Sequence, residues 1–378
     1  MQIFIDLSVI QVVIYILVSI SLLVILIYYW LIFGRLAFYK IKESNSSNNF
    51  RKVSVVISAR NEYLNLKNNL PYILEQDYPE FEVVVVDDCS DDDTAYLLKK
   101  LSETYPVLKV VTLNYTKNFF EGKKFPLSIG IKSAKYEYIL LTDADCKPVS
   151  KNWIKEMQTG FDNGNQIVLG FSYYRPEKSF VNLLIRFDTF YTAMQYLSFS
   201  LSNLTYMGVG RNLAYTRSLF FAEKGFTRHY HITSGDDDLF VNKAAYKVKT
   251  GIVISYDSYT ESIAKSSLKE WISQKRRHLT TSKYYRNKHK ILLSLLPFMQ
   301  IIFYSIIIIL FIFVHNIIIP VSLLFVKLLS QLIIYKYCMQ KLKQKNFLLI
   351  SPVFELFFIF FMSVLFVMNI FKKPVKWK

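Results

Sequence analysis

Three acidic clusters in the middle of the chain carry side chains that can do chemistry together: Asp87-Asp88-Cys89-Ser90-Asp91-Asp92-Asp93, Asp143-Ala144-Asp145 and Asp236-Asp237-Asp238. The first follows the apolar run Val83–Val86. A carboxylate at a strand end, here Asp87 or Asp88, can accept hydrogen bonds from a nucleobase or a ribose. Ser90 and the later acids also suit the cap of the next helix. Asp143 and Asp145 stand one residue apart, so both can face one divalent cation, and their hard oxygens suit magnesium or manganese. Such a cation would neutralise a leaving diphosphate; a lone pair of this kind is also an ordinary solvated turn. Asp237 has the chemistry of a general base, taking a proton from an attacking hydroxyl, although the same run also reads as an acidic helix start. In Glu270–His278, Gln274 and His278 lie one helical turn apart, with Trp271 and Arg277 within two turns. That stretch is also the pattern of a basic amphipathic helix on a membrane surface.

These residues need elements to hold them. Val53–Ile57 and Phe81–Val86 are short β-branched or apolar runs that read as buried strands, and Lys109–Leu113 and Tyr138–Thr142 read as two more. Glu62–Gln76 has helical spacing of Leu64, Leu66, Leu70, Ile73 and Leu74, and Thr94–Leu101 follows the first acidic cluster, where negative charge suits a positive helix end. The alternation predicts a Rossmann-like α/β domain over residues 51–290. Ligands of such sheets bind outside the carboxyl ends of the strands, which is where the clusters fall. Between Ser179 and Tyr206 an aromatic stretch with Phe180, Leu184, Phe187, Phe190, Tyr191 and Tyr196 predicts a helix that packs in the core or lies against a bilayer.

The two ends differ from this middle. No charge occurs between Asp6 and Arg35, a run longer than the ~20 residues that span a bilayer. Arg35, Lys40, Lys42, Arg51 and Lys52 follow it, so the positive-inside rule puts the amino terminus outside and the middle domain in the cytosol. Residues 1–50 are thus read as an anchor with a basic linker. Residues 291–378 hold two or three further segments: Ile291–Val314, Asn316–Tyr335 with Lys327 inside it, and Phe347–Phe371 with Pro352 and Glu355. The loop with Lys336, Lys341, Lys343 and Lys345 and the basic tail Lys372–Lys378 both prefer the cytosol, so the last segment is expected to dip in and return or to lie along the interface. The net charge of +17 fits an anionic inner membrane face better than nucleic acid, because the basic residues track membrane edges and no recognition module is visible. Three cysteines without a C-x-x-C pair argue against a disulfide or zinc framework.

Taken in order, VSVVISARNE, VVVVDDCSDDD, GKKFPLSIGI, LLTDADCKP, GVGRNLAY, SGDDDLF and QKRRH resemble the membrane-integrated branch of the inverting family-two glycosyltransferases, which includes cellulose, chitin and hyaluronan synthases. The resemblance runs from Val53 to Lys283 and implies a GT-A type α/β domain flanked by transmembrane helices in the bacterial inner membrane. It implies a nucleotide-sugar donor, commonly uridine diphosphate-linked, a lipid or glycan acceptor, and a divalent cation, magnesium or manganese. Ser58, Arg60 and Glu62 would sit beside the nucleotide, and Asp88, with Asp87, would contact the base. Lys123 matches the G-K-x-x-x-L lysine near the diphosphate. Asp143 would face the nucleotide sugar and, with Asp145, the metal. Gly210-Arg211-Asn212 resembles the acceptor-side loop. Asp237, with Asp236, matches the E-D or D-D motif of the catalytic base. Gln274, Arg277 and His278 match Q-x-x-R-W. The family's final tryptophan is His278 here, which points to a different acceptor and to the addition of one or a few sugars.

Overall fold

The computed structural model describes residues 7–41, 50–114, 122–230, 232, 234–313 and 316–371. The chain begins with α1 (Leu7–Ile27), widens into a π-helical stretch (Tyr28–Phe33) and closes with α2 (Gly34–Ala37). Then come β1 (Val53–Ala59), α3 (Tyr63–Leu74), β2 (Phe81–Asp88), α4 (Thr94–Thr104), β3 (Leu108–Leu113), α5 (Lys124–Ser133) and β4 (Tyr138–Leu141). Next are β5 (Cys146–Pro148), α6 (Trp153–Thr159), β6 (Ile167–Leu169), β7 (Ser172–Tyr174), α7 (Phe180–Leu201), β8 (Leu213–Thr216) and α8 (Arg217–Ala222). The order ends with α9 (Asp238–Ala244), β9 (Thr250–Ile252), β10 (Thr260–Ser262), α10 (Leu268–Ser282), α11 (Asn287–Phe313), α12 (Ile318–Lys341) and α13 (Ser351–Phe371). Two compact units result: Lys40–Tyr285 with Met368–Lys378, and Met1–Tyr39 with Arg286–Val367.

The first unit is a mixed α/β domain. Its main sheet has the strand order β3-β2-β1-β4-β8-β6-β9. β1, β2, β3 and β4 run parallel, as βαβ crossovers dictate, and β8 runs against both β4 and β6. Every residue of β1 is buried, because parallel strands are covered on both faces. The predicted runs from Val53 to Thr142 fall within three residues of the observed elements, and the helix predicted between Ser179 and Tyr206 ends five residues earlier, at Leu201. The antiparallel entry of β8 has no counterpart in the sequence reading, since partner and direction are set by distant chain. It matters for function: Leu213 pairs with Leu141, so the Gly210–Asn212 turn before β8 emerges at the same sheet edge as the end of β4. Helix α5 lies tight on the sheet at Gly130, where a Cβ would come within 2.6 Å of Val56 Cγ1. A small sheet, β5-β10-β7, extends the edge just after Asp145. In α7, Leu184, Phe187, Phe190 and Tyr196 are buried and Ser179 caps the helix by accepting from the Asn182 N–H. Phe187, Phe190 and Tyr196 thus belong to the core, while Phe180 is exposed and Tyr191 half-buried.

In the second unit, four stretches among the described residues are long and apolar enough to cross a membrane: Gln11–Ala37, Asn287–Phe313, Ile318–Lys341 and Ser351–Phe371. Of the two forms expected for the last segment, a turn back or a course along the interface, the helix geometry bears only on the first. α13 is one unbroken helix, and Pro352 sits in its first turn, where a missing N–H costs nothing. Lys336 and Lys341, read as loop, continue α12. The basic tail at 372–378 lies outside the described residues. The two charges that interrupt the apolar runs, Lys327 and Glu355, meet each other at 2.5 Å, both fully buried. Lys327 Nζ also donates to Gln331 Oε1 at 2.7 Å and contacts the Tyr304 hydroxyl at 2.6 Å. Glu355 Oε1 accepts from Tyr29 and Tyr335 at 2.7 and 2.8 Å. The π-helical turn carries Tyr29 into this network.

Candidate active site

The site assembles at the edge where the parallel strands end. Ser58 is buried in the last turn of β1, and Arg60 is exposed just beyond it. Asp87 and Asp88 close β2 and are both buried. Asp87 Oδ1 accepts the Ser90 N–H. The rest of the first cluster ties two loops together instead of simply capping α4. Ser90 Oγ accepts the Asn61 N–H, and the Asp91 N–H donates to Asn61 Oδ1. Asp92 accepts from both the Tyr63 and Thr94 N–H groups. Asp93, at the N-cap of α4, makes no side-chain cap bond. The loops after β1 and β2 are therefore one bonded unit.

Two strands along the sheet, Asp143 follows β4. Its Oδ1 lies 2.9 Å from Lys123 Nζ, which opens α5. Both side chains are half-buried and still reached by solvent. Burial opposes the Lys123 charge, but Asp143 and Asp145 outweigh it and raise the pKa above the usual lysine range. Against its own burial, Lys123 and then Arg211 hold Asp143 below the usual carboxylate range. Asp145 is exposed, and one of its oxygens accepts from the buried Cys146 thiol at 3.2 Å. Glu62 belongs to the same field: burial raises its pKa, with Asp145 and Asp143 adding to the rise.

The base candidates reach this edge through β8. Asp237 Oδ2 accepts the Gly210 N–H at 2.8 Å, and Oδ1 accepts the Asp238 N–H at 2.7 Å. Gly235 precedes the triplet at φ +96°, in the left-handed region that glycine tolerates. Burial first, then the like charges of Asp236 and Asp238, push the Asp237 carboxyl well above its ordinary range. Asp236 is also raised, mainly by burial, with Asp143 nearby and Lys123 opposing. The third acid differs from its neighbours. Asp238 Oδ2 accepts from Thr281 at 2.5 Å and from Tyr285 at 2.7 Å, so it anchors α10.

Helix α10 brings the last predicted set. Arg277 lies in the field of Asp236 and Asp143, although burial lowers its pKa. Gln274 reaches the Tyr174 hydroxyl. Desolvation, then the positive charges of Lys275, Arg277 and Arg211, depress the His278 pKa well below the usual histidine range. The side chain is open to solvent, which weakens both effects, and near neutral pH the imidazole is an uncharged hydrogen-bonding group. Lys275 is turned away to Asp188 of α7 at 2.5 Å.

The Gly210–Asn212 turn named from sequence splits between two roles, and sequence reasoning passed over Asp238 and Lys124 beside it. Arg211 lies over the Tyr174 ring at 4.4 Å, within the field of Asp145 and Asp143. Asn212 is a core residue, bonded to Trp153, to the Phe171 carbonyl and to the Ser258 carbonyl. Asp238 and Lys124 were hidden by neighbours of the same type. His231 lies outside the described residues.

Among the described residues no group of three or more His, Cys, Asp or Glu side chains converges as a metal cage. The donor set fits a magnesium- or manganese-like ion all the same. Such ions bind through one or two carboxylates and complete their shell with phosphate oxygens and water. Asp145 is exposed for that role, and Asp143 stands beside it.

Three comparisons bear on this arrangement. Residues 54–221 match the model of glycosyl transferase family 2. Poly-beta-1,6-N-acetyl-D-glucosamine synthase of Staphylococcus epidermidis is 31% identical over 126 residues, 31% of this chain and 29% of the relative. Poly(ribitol-phosphate) beta-N-acetylglucosaminyltransferase of Staphylococcus aureus is 34% identical over 120 residues, 31% of this chain and 20% of the relative. The matched stretch thus spans less than a third of these curated relatives. A mannosyltransferase from Pyrobaculum calidifontis, solved with GDP-Man and Mn2+, superposes with a TM-score of 0.58 at 18% identity, over 88% of this chain and 97% of its own. The fold is the GT-A type α/β arrangement.

Proposed function

We propose that this chain, whose residues 54–221 match the glycosyl transferase family 2 model, moves a sugar with inversion from a nucleotide-sugar donor to a hydroxyl of a membrane-associated lipid or glycan acceptor. The observation that carries the reading is Asp237. Its carboxyl is held by two backbone N–H groups, its pKa is raised by burial, and it stands at the edge where Asp143 and Lys123 meet. A base with a raised pKa takes a proton more readily near neutral pH than an ordinary aspartate does.

Asp87, Asp88, Ser58, Arg60 and Glu62 line the nucleotide side. Asp237 removes the proton of the acceptor hydroxyl as its oxygen attacks the anomeric carbon, and the bond to the diphosphate breaks. Lys123 and Arg277 balance the charge that builds on the leaving group. A divalent cation held by Asp145, with Asp143 beside it, would supply further positive charge there. Gln274 and the neutral His278 bond the acceptor. Four candidate spans and the basic residues after the first support an integral protein of the bacterial inner membrane with the catalytic domain in the cytosol.

UDP-GlcNAc is the first donor to test, given the two acetylglucosamine-transferring relatives. With manganese and membrane extract as acceptor, Asp237→Asn is expected to abolish transfer and leave UDP-GlcNAc affinity within about twofold. Equal loss of both would overturn the base assignment. The synthase relative favours a second reading, a processive enzyme that also exports its product. Product length on gels separates the two, long chains favouring the second.

A further inference from the structure

Lys124 stands next to the diphosphate-side Lys123 but turns the other way, into the protein. It is 1% exposed. Its Nζ donates to three backbone carbonyls: His229 at 2.7 Å, Ile232 at 2.7 Å and Ser234 at 2.6 Å. An ammonium has three N–H donors, and here all three go to the segment that leads into Gly235 and the aspartate triplet. One turn along α5, Ser128 donates to the Lys124 carbonyl and meets the Tyr230 hydroxyl at 2.8 Å. The same helix thus grips the same segment twice. Burying a charged lysine is costly, and the nearby acids offset that cost only in part. Burial lowers the Lys124 pKa to about 8, with Asp236, Asp238 and Asp237 pulling it back up. It carries its charge at neutral pH. A methionine or leucine would fill the volume without that cost, but would take a bond from all three carbonyls, of which, among the described residues, His229 alone keeps another, from the Ile232 N–H at 3.0 Å.

We infer that Lys124 is a positioning residue: its ammonium, gripping the carbonyls of His229, Ile232 and Ser234, sets the Asp236–Asp237 turn at the height of the donor edge. The inference rests on the transferase reading above and adds a residue that touches neither donor nor acceptor. Two adjacent lysines then serve the two halves of the reaction. Lys123 holds Asp143 on the donor side, and Lys124 holds the base segment on the acceptor side. Because they share one backbone at the start of α5, the two acidic clusters keep a fixed spacing.

The test uses the full chain in detergent or nanodiscs. Lys124→Ala is expected to lower kcat for UDP-GlcNAc turnover by about 100-fold, the range of a displaced reacting group, with KM for the donor within about twofold. Ethylammonium, which refills the deleted ammonium, should restore at least tenfold of that loss. Lys124→Gln, which keeps an uncharged amide with two N–H donors in place of three, should fall between wild type and Lys124→Ala. Hydrogen exchange adds a readout that needs no substrate. Both variants should exchange faster across residues 229–238, with β1 and β2 unchanged. Wild-type kcat together with unchanged exchange in 229–238 would overturn the proposal. So would exchange that rises equally in β1 and β2, which would make Lys124 a general stabiliser. If wild type turns over no sugar nucleotide, the transferase reading fails, while the exchange comparison still decides the role of Lys124.

Discussion

Asp237 is an aspartate whose surroundings disfavour its charged form, and that has a visible consequence in a pH profile. The base works only when ionised. Below its pKa it holds a proton and cannot accept the acceptor's, so activity falls as pH drops through that value. Burial and the flanking Asp236 and Asp238 raise the pKa. The acidic limb of kcat/KM is therefore expected well above the ~3.9 of an ordinary aspartate. A profile of diphosphate release from pH 4 to 9 checks it; a limb in the ordinary carboxylate range would contradict the assignment. At this scale the sequence was legible for residue type and opaque for partner. Three consecutive aspartates look alike on paper. Backbone phase aims Asp237 at Gly210 and Asp238 at Thr281 and Tyr285. Lys123 and Lys124 are the same case, because about 100° of helix rotation between neighbours sends one to the cleft and the other inward.

The element that most needs an anchor is α10, since it carries Gln274, Arg277 and His278 but buries only Trp271 and Thr281. Asp238 supplies that anchor. Hydrogen bonds to a charged group contribute about 1.5–3 kcal/mol, so Asp238→Asn, which presents an amide to two hydroxyl donors, should cost about that much stability. It should also lower kcat/KM, because the Gln274–His278 face shifts with the helix. Thr281→Val should show the same direction with a smaller drop, read by thermal denaturation and by steady-state kinetics. The strands β1 to β4 and the helices between them were readable because their β-branched runs and helical spacing are local signals. The strands β5 to β7, β9 and β10 are three residues long, too short for any period to register. Their place is fixed by distant partners, such as Thr260 opposite Pro148.

Over the whole molecule, the apolar ends were legible by composition, while the interruptions in them were not. Lys327 and Glu355 lie 28 residues apart and each weakens its own segment as a membrane span, yet together they form one neutral, hydrogen-bonded pair. Removing one partner of a buried pair is strongly destabilising, typically by about 3–5 kcal/mol. Lys327→Ala and Glu355→Ala are each expected to lower the unfolding temperature in detergent markedly. The double replacement Lys327→Met with Glu355→Leu should recover part of the loss, since no lone charge remains. A double variant worse than the sum of the singles would show that the pair is not what holds these helices.

That pairing also constrains how the chain is made. α12 leaves the ribosome before α13, so for a time Lys327 has no carboxylate to meet. A solitary lysine at the centre of a span resists release into lipid by about 2.5–3.5 kcal/mol. The helix that carries it is therefore expected to linger at the insertion machinery until Glu355 arrives, so that the two enter the bilayer together as a hairpin.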